Sequence, residues 1–414
     1  MTGLPLEDFH PKIATFIAAF QENNDIGVLG GRVHLTEPRT SCNSIDGKKL
    51  YDRIQVNIPF ATHTLSWQVL FNSMYPEDPP DFIFGPADND FVPPLEEIRS
   101  LVKWDPDDPL SLKVVICELI EFYKAFQIEE ISQHTRLQFE YASLMNTRKF
   151  TEVEVHMPHR RMMQTWETVV KFLIRLPVNF SEIPEYFTKL ESPGEDMAIL
   201  LVTYQHPGEK SKYNGISYVM YFQKVAPTIS ALGGSNSLRI PVFPNDGCLF
   251  TYVPQVCELL ENMIDLVAKG FKKRQEYVAA FLSHYGRSVL EYDAESFEQI
   301  SFLFENQDFH FLLHVHIPPY FPKDQPEFVF QSVYHTTSTG RPFNQTVKDY
   351  PYSPRWTGNE MAVRANRQSS EEAGECNILI RDTHEKRRLV IALPTRLCTA
   401  GDLEHHGRRL LMES

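Results

Sequence analysis

Residues 75–84 have the sequence YPEDPPDFIF, and residues 321–330 have the closely similar sequence FPKDQPEFVF. Identical residues stand at matching positions: Pro76, Asp78, Pro80, Phe82 and Phe84 recur as Pro322, Asp324, Pro326, Phe328 and Phe330. Proline has no backbone N–H to donate to a neighbouring strand. We therefore predict that each segment is a stiff connection and that a new strand begins after its last proline.

The similarity extends upstream at a constant offset of 246 residues, which places Tyr51 on Phe297. Apolar residues alternate or nearly alternate over residues 51–58 and 297–304, and again over residues 65–71 and 311–317. A period of two is typical of half-buried strands. Because strand phase and proline spacing are preserved together, we interpret the similarity as an internal duplication. Each copy is predicted to be an antiparallel meander.

Helices are predicted beside both meanders. In the first copy, a helix should begin near Asp108, a good N-cap, and Pro109. Its apolar face comprises Leu112, Val115, Ile116, Leu119, Tyr123 and Phe126. A long helix, from about Pro254 to His284, should precede the second copy, and its apolar face comprises Val256, Leu259, Leu260, Met263, Val267 and Phe271. The predicted fold class is α+β, with antiparallel meander sheets covered by helices.

The segment between the copies, from about residue 150 to 250, has strand signals of its own. With a one-residue deletion, Leu176, Pro177, Phe180 and Pro184 match Ile317, Pro318, Phe321 and Pro326. A third, degenerate unit and an unrelated middle domain both fit this weak match. The predicted domains are residues 1–130, 131–252, 253–366 and 367–414. The last should be a divergent, mostly disordered tail, because its polar run offers no stripe for a core.

Composition excludes several classes of function. The chain has 414 residues and a formal net charge of -14, whereas a nucleic-acid-binding protein normally has a basic surface to neutralise phosphates. No apolar run reaches the length needed to span a bilayer, and the amino terminus does not resemble a signal peptide. The sparse cysteines are Cys42, Cys117, Cys248, Cys257, Cys376 and Cys398. They form no C-x-x-C pair, so we expect an intracellular, reduced protein.

The proline-containing segment, followed by a tryptophan before a helix, resembles the core of ubiquitin-conjugating (E2) enzymes and their inactive variants, the UEV domains. The resemblance implies tandem UEV domains. In active E2 enzymes the region after this segment carries a thioester cysteine, but here no cysteine lies between Phe84 and Trp104 or between Phe330 and Trp356. Without a thiolate nucleophile no ubiquitin thioester can form. We therefore expect no enzymatic activity, no catalytic or metal-binding residues and no cofactor.

A more specific resemblance covers the chain from near its amino terminus to about Arg364. The matching segments are residues 81–85, 231–235, 246–249, 252–257, 277–284, 330–335 and 350–356. They are similar to the BRE (brain and reproductive organ-expressed protein) family. This resemblance implies a scaffold of BRISC and BRCA-A deubiquitinase complexes, joining a JAMM-type zinc deubiquitinase and an Abraxas-type subunit to a MERIT-type subunit.

The family resemblance also implies cleavage of lysine-63-linked ubiquitin chains by the assembled complex, and roles in DNA-damage signalling, DNA repair, the cell cycle and apoptosis. The expected location is the cytoplasm and nucleus. Direct contact with polyubiquitin stays open. The alternative hypothesis is a stand-alone ubiquitin- or peptide-binding E2 variant of the endosomal-sorting type.

The residues expected to carry the structural motif are Tyr75, Pro76, Pro80, Phe82, Phe84, Trp104, Phe321, Pro322, Pro326, Phe328, Phe330 and Trp356. We expect Tyr75 and Phe321 to pack rather than to bind ubiquitin. His314 and His316 have the spacing of a metal-binding pair, but we interpret them as ordinary sheet-face histidines. Residues 231–236 are interpreted as a turn rather than a phosphate-binding loop, and the basic patch at residues 272–274 as a solvated helix face.

Overall fold

A computed structural model describes residues 4, 6–29, 31–40, 50–72, 74–75, 77–158, 169–184, 197–205, 216–223, 239–244, 247–306, 309–337, 339–347 and 350–364. By internal contacts the chain divides into a first unit, residues 1–268, and a second unit, residues 269–414. Antiparallel sheets and helices occur in both units, which confirms the α+β class. No helix in these described ranges is long and apolar enough to cross a membrane.

In the first unit a short 3-10 helix (Leu6–Asp8) and helix α1 (Pro11–Glu22) precede a four-stranded antiparallel sheet. Its strands are β1 (His34–Arg39), β2 (Arg53–Phe60), β3 (His63–Leu70) and β4 (Asp81–Ile83), paired in that order. Burial alternates along β2, where Ile54, Val56, Ile58 and Phe60 face the core. The alternation of apolar residues in the sequence therefore indicates a sheet that packs against the core with one of its faces.

Helices α2 (Arg99–Val102), α3 (Ser111–Ser132) and α4 (Thr135–Asn146) follow the first sheet. The predicted apolar face of α3 is confirmed, since Leu112, Val115, Ile116, Leu119 and Tyr123 are all fully buried. Phe126, the last predicted member of that face, is partly buried against the same core.

The predicted start of α3 near Asp108 and Pro109 was wrong. The carboxylate of Asp108 accepts from Leu110 N at 3.0 Å, and its carbonyl accepts from Ser111 N at 3.1 Å. Asp108 therefore closes a tight turn instead of capping the helix. The Ser111 hydroxyl donates back to the Asp105 carbonyl at 2.8 Å, and the helix begins at Ser111.

A second antiparallel sheet lies in the segment between the copies. Its strands are β5 (Val153–His156), β6 (Val169–Leu176), β7 (Met197–Gln205) and β8 (Ile216–Gln223), again paired in sequence order. Leu173, Ile199 and Leu201 belong to the core that the first sheet forms with α1 and α3. The middle segment is therefore a folded meander that shares its core with the first copy. Whether it is a third copy stays a prediction.

The buried carboxylate of Glu154 on β5 joins the middle sheet to the first copy. Its Oε1 accepts from Leu29 N at 2.5 Å, and its Oε2 accepts from Ala61 N at 2.8 Å. Burial raises the pKa of Glu154 to about 7, although both hydrogen bonds favour the charged form. This side chain thus connects strand β5 to the backbone at Leu29 and Ala61 of the first copy.

Helix α5 spans Leu249–Tyr285, which corrects the predicted start at Pro254. The buried Glu140 carboxylate accepts from Leu249 N at 2.7 Å and contacts Arg136 Nη2 at 2.5 Å. A carboxylate at a helix N-terminus satisfies a free N–H and complements the helix dipole. This cap comes from α4, far away in sequence. Local sequence could not reveal it, and Pro254 lies inside the helix.

The second unit contains a five-stranded antiparallel sheet with the order β13-β12-β11-β10-β9. The strands are β9 (Val289–Tyr292), β10 (Gln299–Asn306), β11 (Phe309–His316), β12 (Glu327–Thr336) and β13 (Pro342–Val347). The carboxyl-terminal part of α5 covers this sheet through Tyr277, Val278 and Phe281. A last helical segment at residues 358–364 adds Met361 and Ala362 to the core.

The strand pairing agrees with the predicted internal duplication. Strands β2 and β3 have the same bounds as β10 and β11 when shifted by the offset of 246 residues, from Arg53 on Gln299 to Leu70 on His316. The registers also coincide: Arg53 pairs with Leu70 as Gln299 pairs with His316. Strands β1 to β4 therefore correspond to β9 to β12, and among the described residues β13 has no counterpart in the first copy.

The predicted domain division stays a prediction. The boundaries after residues 130 and 252 fall within α3 and α5. The tail from residue 367, expected to be disordered, lies outside the described residues, as does the turn expected at residues 231–236.

Candidate functional site

The proline-containing segment of the second copy is firmly packed. Phe321, Phe328 and Phe330 are buried in the core of the second unit, and Pro326 is buried beside them. The Phe321 ring lies 5.2 Å from that of Tyr277 on α5. The expectation that Phe321 packs is therefore confirmed.

Two tyrosine hydroxyls form hydrogen bonds with the backbone of this segment. The Tyr350 hydroxyl donates to the Pro326 carbonyl, and the Tyr352 hydroxyl donates to the Pro322 carbonyl at 2.5 Å. The Tyr350 ring also packs edge-on against Phe328, with centroids 4.8 Å apart. Burial raises the pKa of both phenols, to about 12 for Tyr352, so both stay protonated donors. Both tyrosines lie in the segment 350–356, and the sequence alone indicates no structural role for them.

The matching segment of the first copy is much more open. Tyr75 is 66% exposed, so the expectation that it packs was wrong. Phe82 and Phe84 are only partly buried against the core, Pro80 is buried, and Pro76 lies outside the described residues. The two copies therefore share a strand framework but differ in how the segment is covered.

The tryptophans of the motif have structural contacts. Trp104 is half-buried, and its ring lies 5.0 Å from that of Phe16 on α1. Trp356 is also half-buried, with the Arg364 guanidinium 4.2 Å above its ring, a cation–π contact. Neither side chain points to a chemical role.

A groove lies beside β4 in the first copy, and we call it the β4 groove. It has a volume of about 710 Å3 and runs between residues 79–84 on one side and residues 91–102 on the other. Its exposed apolar side chains are Ile83, Val92, Leu95 and Val102. No motif quoted from the sequence includes Val92 or Leu95. The available signal was the Pro93-Pro94 pair between two apolar residues.

A buried polar network supports the floor of the β4 groove. The Asp88 carboxylate accepts from the Tyr123 hydroxyl at 2.8 Å and from Trp67 Nε1 at 3.4 Å. Gln127 Nε2 donates to the same tyrosine oxygen at 3.1 Å. Burial raises the pKa of Asp88, while both of its hydrogen bonds oppose the shift. The network holds the 3-10 turn Pro86–Asp88 in place and so shapes the groove.

Burial disfavours the thiolate form of two described cysteines, Cys117 and Cys257. Burial raises the pKa of the Cys117 thiol, and it raises the pKa of Cys257 to about 11. A raised pKa disfavours the thiolate that nucleophilic or metal-binding chemistry requires. Cys42, Cys376 and Cys398 lie outside the described residues. Among the residues that the structure describes, no group of three or more His, Cys, Asp or Glu side chains could hold a metal ion.

Two further sequence predictions can be placed. His314 Nδ1 lies 2.9 Å from the Ser301 hydroxyl on the neighbouring strand, and burial lowers the pKa of His314. The basic patch was only partly a solvated face: Lys272 and Lys273 are exposed, but Arg274 is 3% exposed. Its guanidinium donates to the Ser296 and Pro319 carbonyls, both at 3.2 Å. A buried arginine was unpredictable from a run of basic residues, because its carbonyl partners come from distant turns.

Comparison with known proteins gives a consistent result. The family model described as "Brain and reproductive organ-expressed protein (BRE)" matches residues 7–336. A protein of Branchiostoma floridae called "BRISC and BRCA1-A complex member 2" is 42% identical over 364 residues, which cover 87% of this chain and 93% of that protein. A Danio rerio protein with the same name is 42% identical over 367 residues, with the same coverage of both chains.

Proposed function

This chain belongs to the brain and reproductive organ-expressed protein family, and from this premise we propose that it is a non-catalytic scaffold subunit of BRISC- and BRCA1-A-type complexes. The observation that carries the proposal is the 42% identity to two proteins named as members of both complexes, over 93% of their length. Similarity of this extent supports the proposed membership of these complexes.

The fold supports a scaffold built from tandem E2-variant domains. Two meanders with the same strand bounds and the same registers lie in one chain. Both lack a cysteine in the region where E2 enzymes carry their nucleophile, between Phe84 and Trp104 and between Phe330 and Trp356. Such domains have lost the chemistry of the E2 fold and keep its surfaces, which are available for stable interfaces.

The proposed partners are a JAMM-type zinc deubiquitinase, an Abraxas-type subunit and a MERIT-type subunit. In this arrangement the chain contributes no catalytic residue, and the assembled complex cleaves lysine-63-linked chains in the nucleus and cytoplasm. The second unit supports the MERIT-type subunit, and the first unit contributes to contact with the Abraxas-type subunit. Function in DNA-damage signalling follows from this membership.

Co-expression of the full chain with the three proposed partners tests the assembly. The scaffold proposal expects all four chains to co-elute at a fixed stoichiometry and to cleave lysine-63-linked diubiquitin. A chain that elutes alone and binds ubiquitin or a peptide by itself would instead favour the stand-alone E2 variant. Incubation of the full chain with E1, ATP and ubiquitin should give no thiol-sensitive adduct. Such an adduct would refute the non-catalytic assignment.

Point variants on each unit test the assignment of partners. Val333→Asp places a charge on an exposed apolar position of the second unit, and Phe139→Asp does the same on the first. We expect the former to weaken retention of the MERIT-type subunit and the latter to weaken retention of the Abraxas-type subunit. Loss of both partners from a single variant that melts like the wild type would reject this division.

A further inference from the structure

The outer edges of β4 and β12 differ although the two strands occupy equivalent positions. In the second copy, β13 pairs with the outer edge of β12 over Phe328 to Gln331. In the first copy, β4 is the last strand of its sheet, and among the described residues no strand pairs with its outer edge. An unpaired edge presents backbone N–H and C=O groups that can accept another strand.

The strand registers allow β4 and β12 to be compared residue by residue. Val69 pairs with Phe82 as Val315 pairs with Phe328, at the offset of 246 residues. In the second copy, Val347 of β13 lies opposite Phe328 and Gln345 lies opposite Phe330. A strand added to β4 in the same way would therefore place one side chain opposite Phe82 and another opposite Phe84.

The β4 groove has the surface that such a strand requires. Val92 is 82% exposed and Ile83 is 49% exposed, and both line the groove. In the second copy, the strand that covers the corresponding edge buries Val347 and partly buries Phe343. Exposed apolar side chains next to a free strand edge are typical of sites that bind an extended peptide by strand addition.

The charges of the groove narrow the choice of partner. Asp81 and Glu96 are exposed residues that line it, and they favour a basic residue in the bound segment. The chain itself has a formal net charge of -14, which disfavours a second copy as the partner, because like charges repel on approach. A segment of another protein, apolar in alternate positions and with lysine or arginine at one end, fits these requirements.

We propose that the β4 groove binds an extended, basic-apolar segment of a partner protein, which adds as a strand to the outer edge of β4 in the way that β13 adds to β12. Main-chain hydrogen bonds to β4 give the affinity, and the pockets beside Phe82 and Phe84 select alternate side chains. The inference rests on the strand edge and does not depend on membership of either complex.

The test uses the full chain and a defined probe. The probe is a fluorescent peptide with the sequence of residues 341–347, RPFNQTV, the natural occupant of the equivalent edge, which begins with a basic residue. We expect saturable binding by fluorescence anisotropy, with slowed amide exchange at residues 79–85. A second probe carries methyl groups on the backbone nitrogens at the positions of Asn344 and Gln345. Successive N–H groups of a strand point to opposite sides, so one of the two lost donors faces β4 whichever side of the peptide pairs with it. This second probe should not bind.

Matched variants locate the binding site. Val92→Asp and Ile83→Asp should each weaken binding by roughly tenfold or more, as expected for a buried apolar contact. Val114→Asp makes the same change at a position that is 50% exposed on α3, outside the groove, and should leave affinity unchanged. Glu96→Lys should weaken binding and reduce its dependence on salt concentration. Thermal melting of each variant identifies any that fail to fold.

Several results would overturn the proposal. One is the absence of binding by the unmethylated probe, and another is equal affinity of the Val92→Asp and Val114→Asp variants. A concentration-dependent dimer that Ile83→Asp dissociates would show that a second copy occupies the groove. A gain in probe affinity on reversing the charges of Lys386, Arg387 and Arg388 would show that the chain's own carboxyl-terminal residues occupy it. Either occupant excludes the partner segment proposed here.

Discussion

Phe82 and Phe328 hold the same position in the two copies, opposite Val69 and Val315, yet Phe328 is 2% exposed whereas Phe82 is only partly buried. The difference arises from what covers each strand. In the second copy β13 pairs with the strand that holds Phe328, and the Tyr350 ring packs against Phe328. In the first copy Phe82 lines the open β4 groove.

Replacing Phe328 with alanine should therefore destabilise the protein more than replacing Phe82. A fully buried phenylalanine is expected to cost about 3 to 5 kcal/mol on truncation, and the half-buried Phe82 about half as much. Hydrogen exchange of each unit, followed by mass spectrometry, measures the two losses separately. Equal destabilisation by the two variants would contradict the difference in burial.

Tyr350→Phe should destabilise the second unit by about 1 kcal/mol, because it removes the donor to the Pro326 carbonyl and keeps the ring that packs on Phe328. Tyr75→Phe, the same change at an exposed position of the first copy, serves as the control and should have no measurable effect. Urea unfolding with a probe in each unit gives both values. An unchanged Tyr350→Phe variant would show that this hydrogen bond adds nothing to stability.

Glu154 should make the first unit less stable as the pH rises towards neutrality. Its pKa is about 7 in the folded chain, mainly because of burial, against an ordinary value of 4.5. Between these values the folded state holds a proton that the unfolded state has released. The free energy of unfolding therefore falls from about pH 4.5 to 7, by at most about 3 kcal/mol, and this contribution is constant above pH 7.

The Glu154 effect is isolated by comparing variants across pH. In Glu154→Gln this part of the pH dependence should disappear, together with one of the two backbone hydrogen bonds. Glu129→Gln on α3, at an exposed position, should retain the wild-type profile. Urea midpoints between pH 5 and 8 give the comparison. A parallel profile in Glu154→Gln and the wild type would mean that Glu154 does not titrate in this range.

His156 should produce the opposite dependence at lower pH. Burial lowers its pKa to about 3 from an ordinary value of 6.5, and its ring stacks on His63 at 4.6 Å. The unfolded chain therefore takes up a proton below pH 6.5 that the folded chain refuses, and stability falls on acidification by at most about 5 kcal/mol. His156→Phe keeps a stacking ring and should be less sensitive to acid. Equal acid sensitivity in the variant and the wild type would count against this account.

The strand framework was predictable because it depends on local patterns. Alternation along β2 and β10, and the prolines before β4 and β12, were sufficient for the strands and for the duplication. Features that depend on distant residues were not predictable. Glu140 caps α5 at Leu249, five residues before the local signal at Pro254. The buried Arg274 donates to backbone carbonyls that are remote in sequence. Strand β13 begins at Pro342 and alternates only weakly between apolar and polar residues, so its sequence does not predict a strand.

The candidate site was predictable only as a motif. Matching sequence implied matching environments for Tyr75 and Phe321, but the environment is set by Tyr277, Tyr350 and Tyr352 in the second copy. The β4 groove lies where the second copy has β13 and where no strand pairs with β4 in the part of the chain that the structure describes. A sequence comparison that seeks similar residues does not reveal the absence of a neighbour.

The constant offset between the hairpins Arg53–Leu70 and Gln299–His316 has a consequence for the design of variants. The two hairpins align without an insertion or deletion and share one register, so each gives a residue-by-residue template for substitutions in the other. Trp67 and Leu313 stand at matching positions and are both buried. Each such pair shows two different side chains that the same backbone arrangement accommodates, and it suggests which replacements either hairpin should tolerate.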